Sequence, residues 1–575
     1  MTSHFAKNLL QHSQQQRYRL FIRIIQGLEK LNFNHAEQDP SSVLAKQFLL
    51  TFSVSPLSSG HGPTHDKAPL KQMTALETSS LCSPYKCAPS KCAPAMLAFW
   101  LVSLASLVLL PNSNATEPTP RTNILFIAVD DLNDWVGVLG GHPQAVTPNM
   151  DALAQRGLLF TNAHCTAPGC NASRTSLLMG LRPSTTGIYQ NAHDWRNTSL
   201  IDTAVHLPKH FKNSGYKTLG SGKLFHAHTF FDPKYLSGFS DPKAWDDYFP
   251  SLTQQMPAEA VPENWPVNSS KDFYGGHFDW SPLQIKTSEM ADAKVVAWAK
   301  QHLSKTHEKP LFLSVGIYRP HVPWYAPQKY FDRFPLDSIQ LPKHLEHDIE
   351  DLPEAARKLT KNQWHQWIVA NQQWKRAVQG YLASLSFADD MVGEILTALD
   401  EGPLADNTTV ILWGDHGYHL GEKQHWEKFA LWENTTHVPL MVVSPGQTKP
   451  NTTCDIPVSL LDLYPSLIEL CDLPTPPQTL EGRSFVNLLK NPTAEQDRVA
   501  ITTQGQNNHA VRSQQHRYIQ YADGTEELYD HSNDPHEWTN VANEKRYAQV
   551  KQRLASLIPT VNQAPLLPPK KSDTN

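Results

Sequence analysis

Residues 123–131 read Asn-Ile-Leu-Phe-Ile-Ala-Val-Asp-Asp. Asn123–Val129 is apolar almost throughout and does not alternate, the pattern of a strand covered on both faces in a parallel sheet. Two acids end it. In open α/β sheets ligands bind at the carboxyl ends of the strands, so Asp130 and Asp131 stand where a cation or a reacting group would sit. Two further runs repeat the arrangement. Leu311–Ile317 (LFLSVGI) leads into Tyr318-Arg319-Pro320-His321, and Thr408–Trp413 leads into Asp415-His416. Tyr216–Leu219 predicts another strand, followed by Gly222-Lys223-Leu224-Phe225-His226. Leu158–Asn162 and Leu440–Val443 predict two more.

Helical signals lie between these strands. Thr147-Pro148 opens a helix to Arg156 that Gly157 stops, with proline at the first helical position. Cys170–Met179 is a second, closed by Gly180. Others are expected at His206–Ser214, Ile285–Leu303, Gln373–Leu399 and Leu460–Cys471. Alternating strands and helices predict an α/β fold with a large, mostly parallel central sheet flanked by helices. Residues 227–284 and 322–370 are irregular. The first is rich in Trp, Tyr, Pro and Asp and reads as an ordered insertion on the rim. There Trp245, Tyr248, Trp265, Tyr274 and Trp280 either stack on sugar rings or anchor the insertion to the body. From about Ala500 short strands (Ala510–Ser513, Tyr518–Tyr521, Glu527–Tyr529) and a helix near Glu544–Leu557 predict a small α+β subdomain with an antiparallel sheet. The 575 residues exceed one hydrophobic core. The expected division is a large domain over 120–490 and the C-terminal subdomain over 495–565.

Residues 1–95 lack sustained periodicity and read as a disordered extension or as sequence upstream of the true start, Met73 or Met96. Cys82, Cys87 and Cys92 have no second ligand pair to make a metal site. The apolar run Ala95–Leu110 follows Lys86 and Lys91 and precedes Ser113-Asn114-Ala115, the layout of a signal peptide over 96–115. It is short of the roughly 20 residues of a membrane span, so no stable span is expected. The chain is then secreted or periplasmic. Past Ala115 the cysteines are Cys165, Cys170, Cys454 and Cys471. In an oxidising compartment Cys454 and Cys471 could pair. The formal net charge is −5 and no basic stripe is present, which argues against nucleic acid as a partner. Asn197, Asn407, Asn434 and Asn451 head glycosylation sequons, meaningful only in a eukaryotic host.

Cys170-Asn171-Ala172-Ser173-Arg174 is the stretch that carries chemistry. Taken alone it is a buried cysteine near a helix start. With acids delivered from distant strand ends and Arg174 one turn along, it resembles the sulfatase motif Cys-x-(Pro/Ala)-Ser-Arg. The resemblance runs over roughly 120–560 and is strongest to iduronate-2-sulfatase-like members. Ala172 stands where proline is commonest and Met179 where threonine is usual, within the segment that the maturation enzyme reads.

The resemblance implies an alkaline-phosphatase-like fold and a set of roles. Cys170 would be oxidised to formylglycine by a maturation partner. Its hydrate supplies two hydroxyls, one to attack sulfur and one to expel the bound sulfate by carbon–oxygen cleavage. Asp130, Asp131, Asp415, His416 and residue 170 itself would hold Ca²⁺, a hard ion that takes oxygen ligands. Arg174 would hold the formylglycine side and the metal geometry. Lys223, His321 and Lys428 would bind the sulfate group. His226 would be the base in sulfate release, and His321 would help protonate the leaving oxygen. The implied substrate is a sulfated sugar or polysaccharide. Two other readings remain open: a phosphomonoester or phosphonate monoester hydrolase on the same fold, and a non-catalytic carbohydrate-binding relative.

Overall fold

The computed structural model describes residues 121–198, 202–226, 240–251, 256, 260–494 and 497–566. The N-terminal extension, its cysteines and the apolar run Ala95–Leu110 lie outside the described residues. So does the part of the predicted rim insertion at 227–239. The described residues belong to one compact unit, Thr119–Asn575. No described helix is long and apolar enough to cross a membrane.

The sheet grows from β1 (Asn123–Val129), all seven residues of which are buried. In chain order the other strands are β2 (Leu158–Phe160), β3 (Lys217–Gly222), β4 (Asp247–Phe249), β5 (Leu311–Ile317), β6 (Thr408–Gly414), β7 (Leu440–Val443) and β8 (Thr452–Cys454). They lie side by side as β8-β2-β7-β6-β1-β5-β3-β4. All pairings are parallel except those of β7, which runs against both β6 and β2. The expected mostly parallel sheet is thus present, with one reversed strand that a short apolar run cannot announce.

Side chains of a strand alternate between faces, and β1 feeds two cores. Leu125, Ile127 and Val129 enter one, with helices α1 (Pro148–Arg156), α4 (Ala291–Leu303) and α5 (Trp374–Asp400). Ile124, Phe126 and Ala128 enter the other, with α2 (Cys170–Met179), α3 (Leu207–Asn213) and α6 (Leu463–Leu470). This three-layer arrangement is why β1 is apolar without alternation. The α1 start is held from outside itself. Asp389 of α5 accepts from the amides of Asn149 and Met150 (3.1 and 2.8 Å), in place of a side-chain cap from Thr147.

Several expectations shift. The predicted helix from Ile285 begins at Ala291, behind a 3₁₀ turn at Thr287–Glu289. The stretches read as irregular hold order: Asp247–Phe249 extends the main sheet, Trp280–Leu283 pairs in parallel with Trp324–Pro327, and short helices occupy Glu354–Leu359 and Asn362–Ala370. Cys454 and Cys471 remain separate thiols. The Cys454 thiol donates to Pro492 O at 3.2 Å, and Cys471 ends α6 beside Tyr216.

Beyond the large sheet, β9 (Ala500–Thr503), β10 (His509–Arg512), β11 (His516–Gln520) and β12 (Glu526–Asp530) form an antiparallel meander, followed by α7 (Ala548–Ala555). It grips residues 421–437 through charge. Arg517 ion-pairs with Glu433 and with Glu537 (2.6 Å), Arg512 pairs with Glu433 (3.1 Å), and Trp432 Nε1 donates to Glu527 (2.9 Å). Lys423 is buried against Asp348 (3.0 Å) and Glu537 O. Glu433, His531 and Glu537 come close enough to hold an ion, but the two guanidiniums already satisfy the carboxylates.

Candidate active site

Strand register gathers the site. Val129 of β1 lies beside Ile317 of β5 and Gly414 of β6, and Gly222 of β3 lies beside Gly316 of β5. Asp130, Tyr318, Asp415 and Lys223 therefore leave the sheet next to one another. The ladder runs one bond further: Asp130 N donates to Ile317 O (3.1 Å) and Lys223 N to Gly316 O (3.1 Å). The last step of β3 needs two glycines. Gly222 has φ +71°, and a Cβ there would lie 1.9 Å from Gly316 O; a Cβ on Gly316 would lie 2.1 Å from Lys223 O. Gly222→Ala is therefore expected to destabilise the protein by at least about 2 kcal/mol, from left-handed strain plus a backbone clash. Denaturant midpoints of the two proteins measure it; a shift under a quarter of that would refute the close-approach argument.

Helix α2 brings the cysteine. Cys170 is its first residue, all ten residues are buried, and Gly180 closes it in the left-handed conformation at φ 68°. A helix N-terminus favours negative charge there. One turn on, Arg174 points back under the strand ends. Its guanidinium donates to Asp415 Oδ2 (2.7 Å), Asp130 Oδ1 (3.2 Å), Leu224 O (3.0 Å) and Lys223 O. Ser173 Oγ donates to Asp415 O at 2.6 Å. The motif's serine and arginine thus fasten α2 to β6, β1 and β3 at once.

Lys428 arrives on a turn after β6. Its ammonium is 2.7 Å from Asp131 Oδ1 and 3.1 Å from Cys170 Sγ. Lys223 ion-pairs with Asp130 and lies 5.0 Å over the Tyr318 ring. His416 Nε2 is 3.3 Å from Cys170 Sγ, with Nδ1 at 3.0 Å from Gly417 O. His226, buried beside the same thiol, favours its charged form. His321 stands further out, Nε2 3.9 Å from Asp131 Oδ2, its side chain 15% exposed where the others are buried. Every residue named from the sequence is therefore in one neighbourhood, with His321 at its mouth.

The charges explain one another. Burial raises the Cys170 thiol, but Lys223, Lys428 and His416 outweigh it and hold the thiol well below its usual value. Burial likewise acts against Asp130 ionising, yet Lys223 and Arg174 keep it well below the ordinary carboxylate range. Asp415 is pushed up to about 6 by burial, opposed by Arg174. Burial lowers His416, and Asp415 and Cys170 raise it to about 9.

These residues suit a divalent ion. Ligand atoms of Asp130, Cys170, Asp415 and His416 lie within 4.8 Å of one another, and Asp131, Cys170 and His321 form an overlapping group. Asp131 Oδ2 is buried with no hydrogen-bond partner among the described residues, an oxygen that a cation would satisfy. Three carboxylates make a hard donor set.

Sequence reasoning missed the supports. Tyr381 of α5 donates to Asp131 O at 2.9 Å and Tyr318 packs under Lys223. No motif marks Tyr381, which the packing of α5 brings in, while Tyr318 follows from the end of β5. Of the five rim aromatics, Trp280 and Trp245 are buried, and Tyr248 donates its hydroxyl to Gly222 O at 2.6 Å. These three anchor. Tyr274 is 43% exposed.

Known proteins resemble the chain over most of its described length. The sulfatase family model matches residues 122–473, and a model of the C-terminal region of N-sulphoglucosamine sulphohydrolase matches 421–564. The chain is 39% identical over 459 residues to a sulfatase of Formosa agariphila, covering 77% of this chain and 87% of that one. It is 30% identical over 420 residues to mouse iduronate 2-sulfatase, covering 64% and 71%. Among solved structures, the phosphonate monoester hydrolase of Agrobacterium radiobacter shares the fold, with a TM-score of 0.60 at 21% identity over 76% of this chain and 94% of that one.

Proposed function

The chain belongs to the sulfatase family, and from that premise we propose that it hydrolyses a sulfate ester of a carbohydrate using a formylglycine made from Cys170 and a bound Ca²⁺. One observation carries the reading: three strand-end carboxylates and His416 surround residue 170, inside a ring of cations formed by Arg174, Lys223 and Lys428. Cations so placed suit a tetrahedral, singly charged sulfate ester whose breaking bond gathers further negative charge on its oxygens.

Asp130, Asp131, Asp415 and His416 would hold the ion with residue 170, and it would add positive charge to the sulfate site. Lys223 and Lys428 bind sulfate oxygens. Arg174 fixes the carboxylates and α2. His226, buried beside residue 170, takes the proton from the hydroxyl there during sulfate release. His321, at the mouth, gives a proton to the leaving oxygen. We also read the protein as exported, on the strength of the apolar run Ala95–Leu110, and as needing a maturation enzyme that acts on Cys170.

Mass spectrometry of the peptide spanning Cys170, from protein made with an active maturation system, tests the nucleophile. The aldehyde is expected; an unmodified thiol in every preparation refutes it. Matched aryl sulfate and aryl phosphate esters test the reaction, with sulfate preferred. Chelation is expected to lower turnover at least tenfold, and Ca²⁺ to restore it. Preference for the phosphate ester would favour the phosphomonoester alternative.

A further inference from the structure

Next to Lys428 stands a carboxylate with no part in the site just described. Glu427 is fully buried, and neither of its carboxylate oxygens has a hydrogen-bond partner among the described residues. Buried carboxylates are normally satisfied by close hydrogen bonds; Glu427 has only the Lys361 ammonium at 3.8 Å and the Tyr274 hydroxyl near it, which leaves it room to accept from a ligand. Its backbone is held at φ +83°, a conformation that a non-glycine residue adopts only when its surroundings fix it. The surroundings here are the antiparallel pairing of Trp426 and Glu427 with Leu420 and His419, and the docking of Phe429 N on Pro168 O at 2.9 Å.

Two more polar groups face Glu427. The Lys361 ammonium lies 3.8 Å from Oε2 on a side chain that is 35% exposed, steadied 5.0 Å over the Trp364 ring. Tyr274 lies edge-on to the same ring at 5.3 Å. The Tyr274 hydroxyl is raised by burial and by Glu427, and feels both Lys428 and Asp131. The phenol therefore lies near Glu427 and the charges of Lys428 and Asp131. Burial pushes Glu427 itself up to about 7 against the pull of Lys361.

We propose that Glu427, Lys361 and Tyr274 form the subsite for the leaving alcohol. The Glu427 carboxylate accepts from a sugar hydroxyl next to the sulfated carbon, and the Lys361 ammonium donates to the neighbouring oxygen. The Tyr274 ring covers an apolar face of the sugar. A carboxylate and an ammonium side by side suit a neutral pair of hydroxyls better than a second anion, because their charges offset. The substrate class is a pyranose sulfate with a free hydroxyl vicinal to the ester. This rests on the sulfatase reading of the adjacent site.

The test crosses residues with substrate atoms in the matured, full-length protein. Glu427→Gln, Lys361→Met and Tyr274→Leu are assayed on monosaccharide sulfates and on analogues deoxy at the vicinal position, with an aryl sulfate as reference. The unaltered protein is expected to prefer the hydroxyl-bearing sugar at least tenfold in kcat/KM. Glu427→Gln and Lys361→Met are expected to abolish that preference, the loss falling on the hydroxyl-bearing substrate. A preference unchanged in the variants, or absent from the unaltered protein while it still cleaves aryl sulfate, overturns the subsite. No sulfate release from any ester by the unaltered protein overturns the sulfatase reading, and the subsite with it. Lys361 is partly exposed, so its variant carries the test should Glu427→Gln fail to fold.

Discussion

Cys170→Ala is expected to lower sulfate-ester turnover by about 10⁴-fold or more, the scale on which removing a covalent nucleophile acts. The thiol position is where Lys428 and His416 both reach, and no other described thiol lies in the cluster, so no neighbour is expected to take over. The fold should survive. Alanine is a better helix former than cysteine, the change removes one buried sulfur atom, and the carboxylates keep Arg174, Lys223 and Lys428. A thermal midpoint within a few degrees of the parent, with turnover lost, is the expected pair of results. Retained turnover would mean that residue 170 is not the nucleophile, whatever its setting.

Arg174→Met is expected to be the most damaging single change to stability, at about 3–5 kcal/mol, because it strands buried charge. The guanidinium is the shared partner of Asp130 and Asp415 and also satisfies two carbonyls from the turn after β3. Without it the two carboxylates face each other in a site that burial already makes unfavourable for charge. Lysine cannot replace it, since one ammonium lacks the planar fork that reaches four acceptors. Denaturant unfolding gives the stability loss, and calorimetric titration with Ca²⁺ gives the weakened affinity expected once a carboxylate binds a proton instead. A loss under about 1 kcal/mol would show that the strand ends are held by something else.

Much of this was readable before any coordinates. Asn123–Val129, Leu311–Ile317 and Thr408–Trp413 announce themselves because a strand covered on both sides has no reason to be polar. The residues after them are legible because the sheet delivers its ends to one edge. β3 was only half legible: its last residues, Gly220-Ser221-Gly222, trade apolar bulk for close approach to β5 and so lose the signal. Trp280–Leu283 and Trp324–Pro327 fall in stretches that read as irregular, and their prolines, Pro282 and Pro327, are tolerated in a two-stranded pairing. The reversed direction of β7 depends on where the chain returns from. Tyr381 and Glu427 are invisible as chemistry in the sequence, for one lies mid-helix and the other beside an obvious lysine. Only packing brings them to the pocket.

The grip of the C-terminal meander on the Lys428 turn limits how far this enzyme could be pared down. Lys423, Gln424, Glu427 and Phe429 all hold positive φ, each a conformation costing of order 1–3 kcal/mol if nothing enforces it. Glu537 holds Lys423 directly, and Arg517 and Glu527, also from beyond the large sheet, hold Glu433 and Trp432 on the far side of the turn. A chain trimmed after α6 would still possess the complete sheet, the helices packed on its two faces, the cysteine and all three acids. Its turn would uncoil, the ammonium would swing out of reach, and an intact-looking sheet between two layers of helices would be chemically mute.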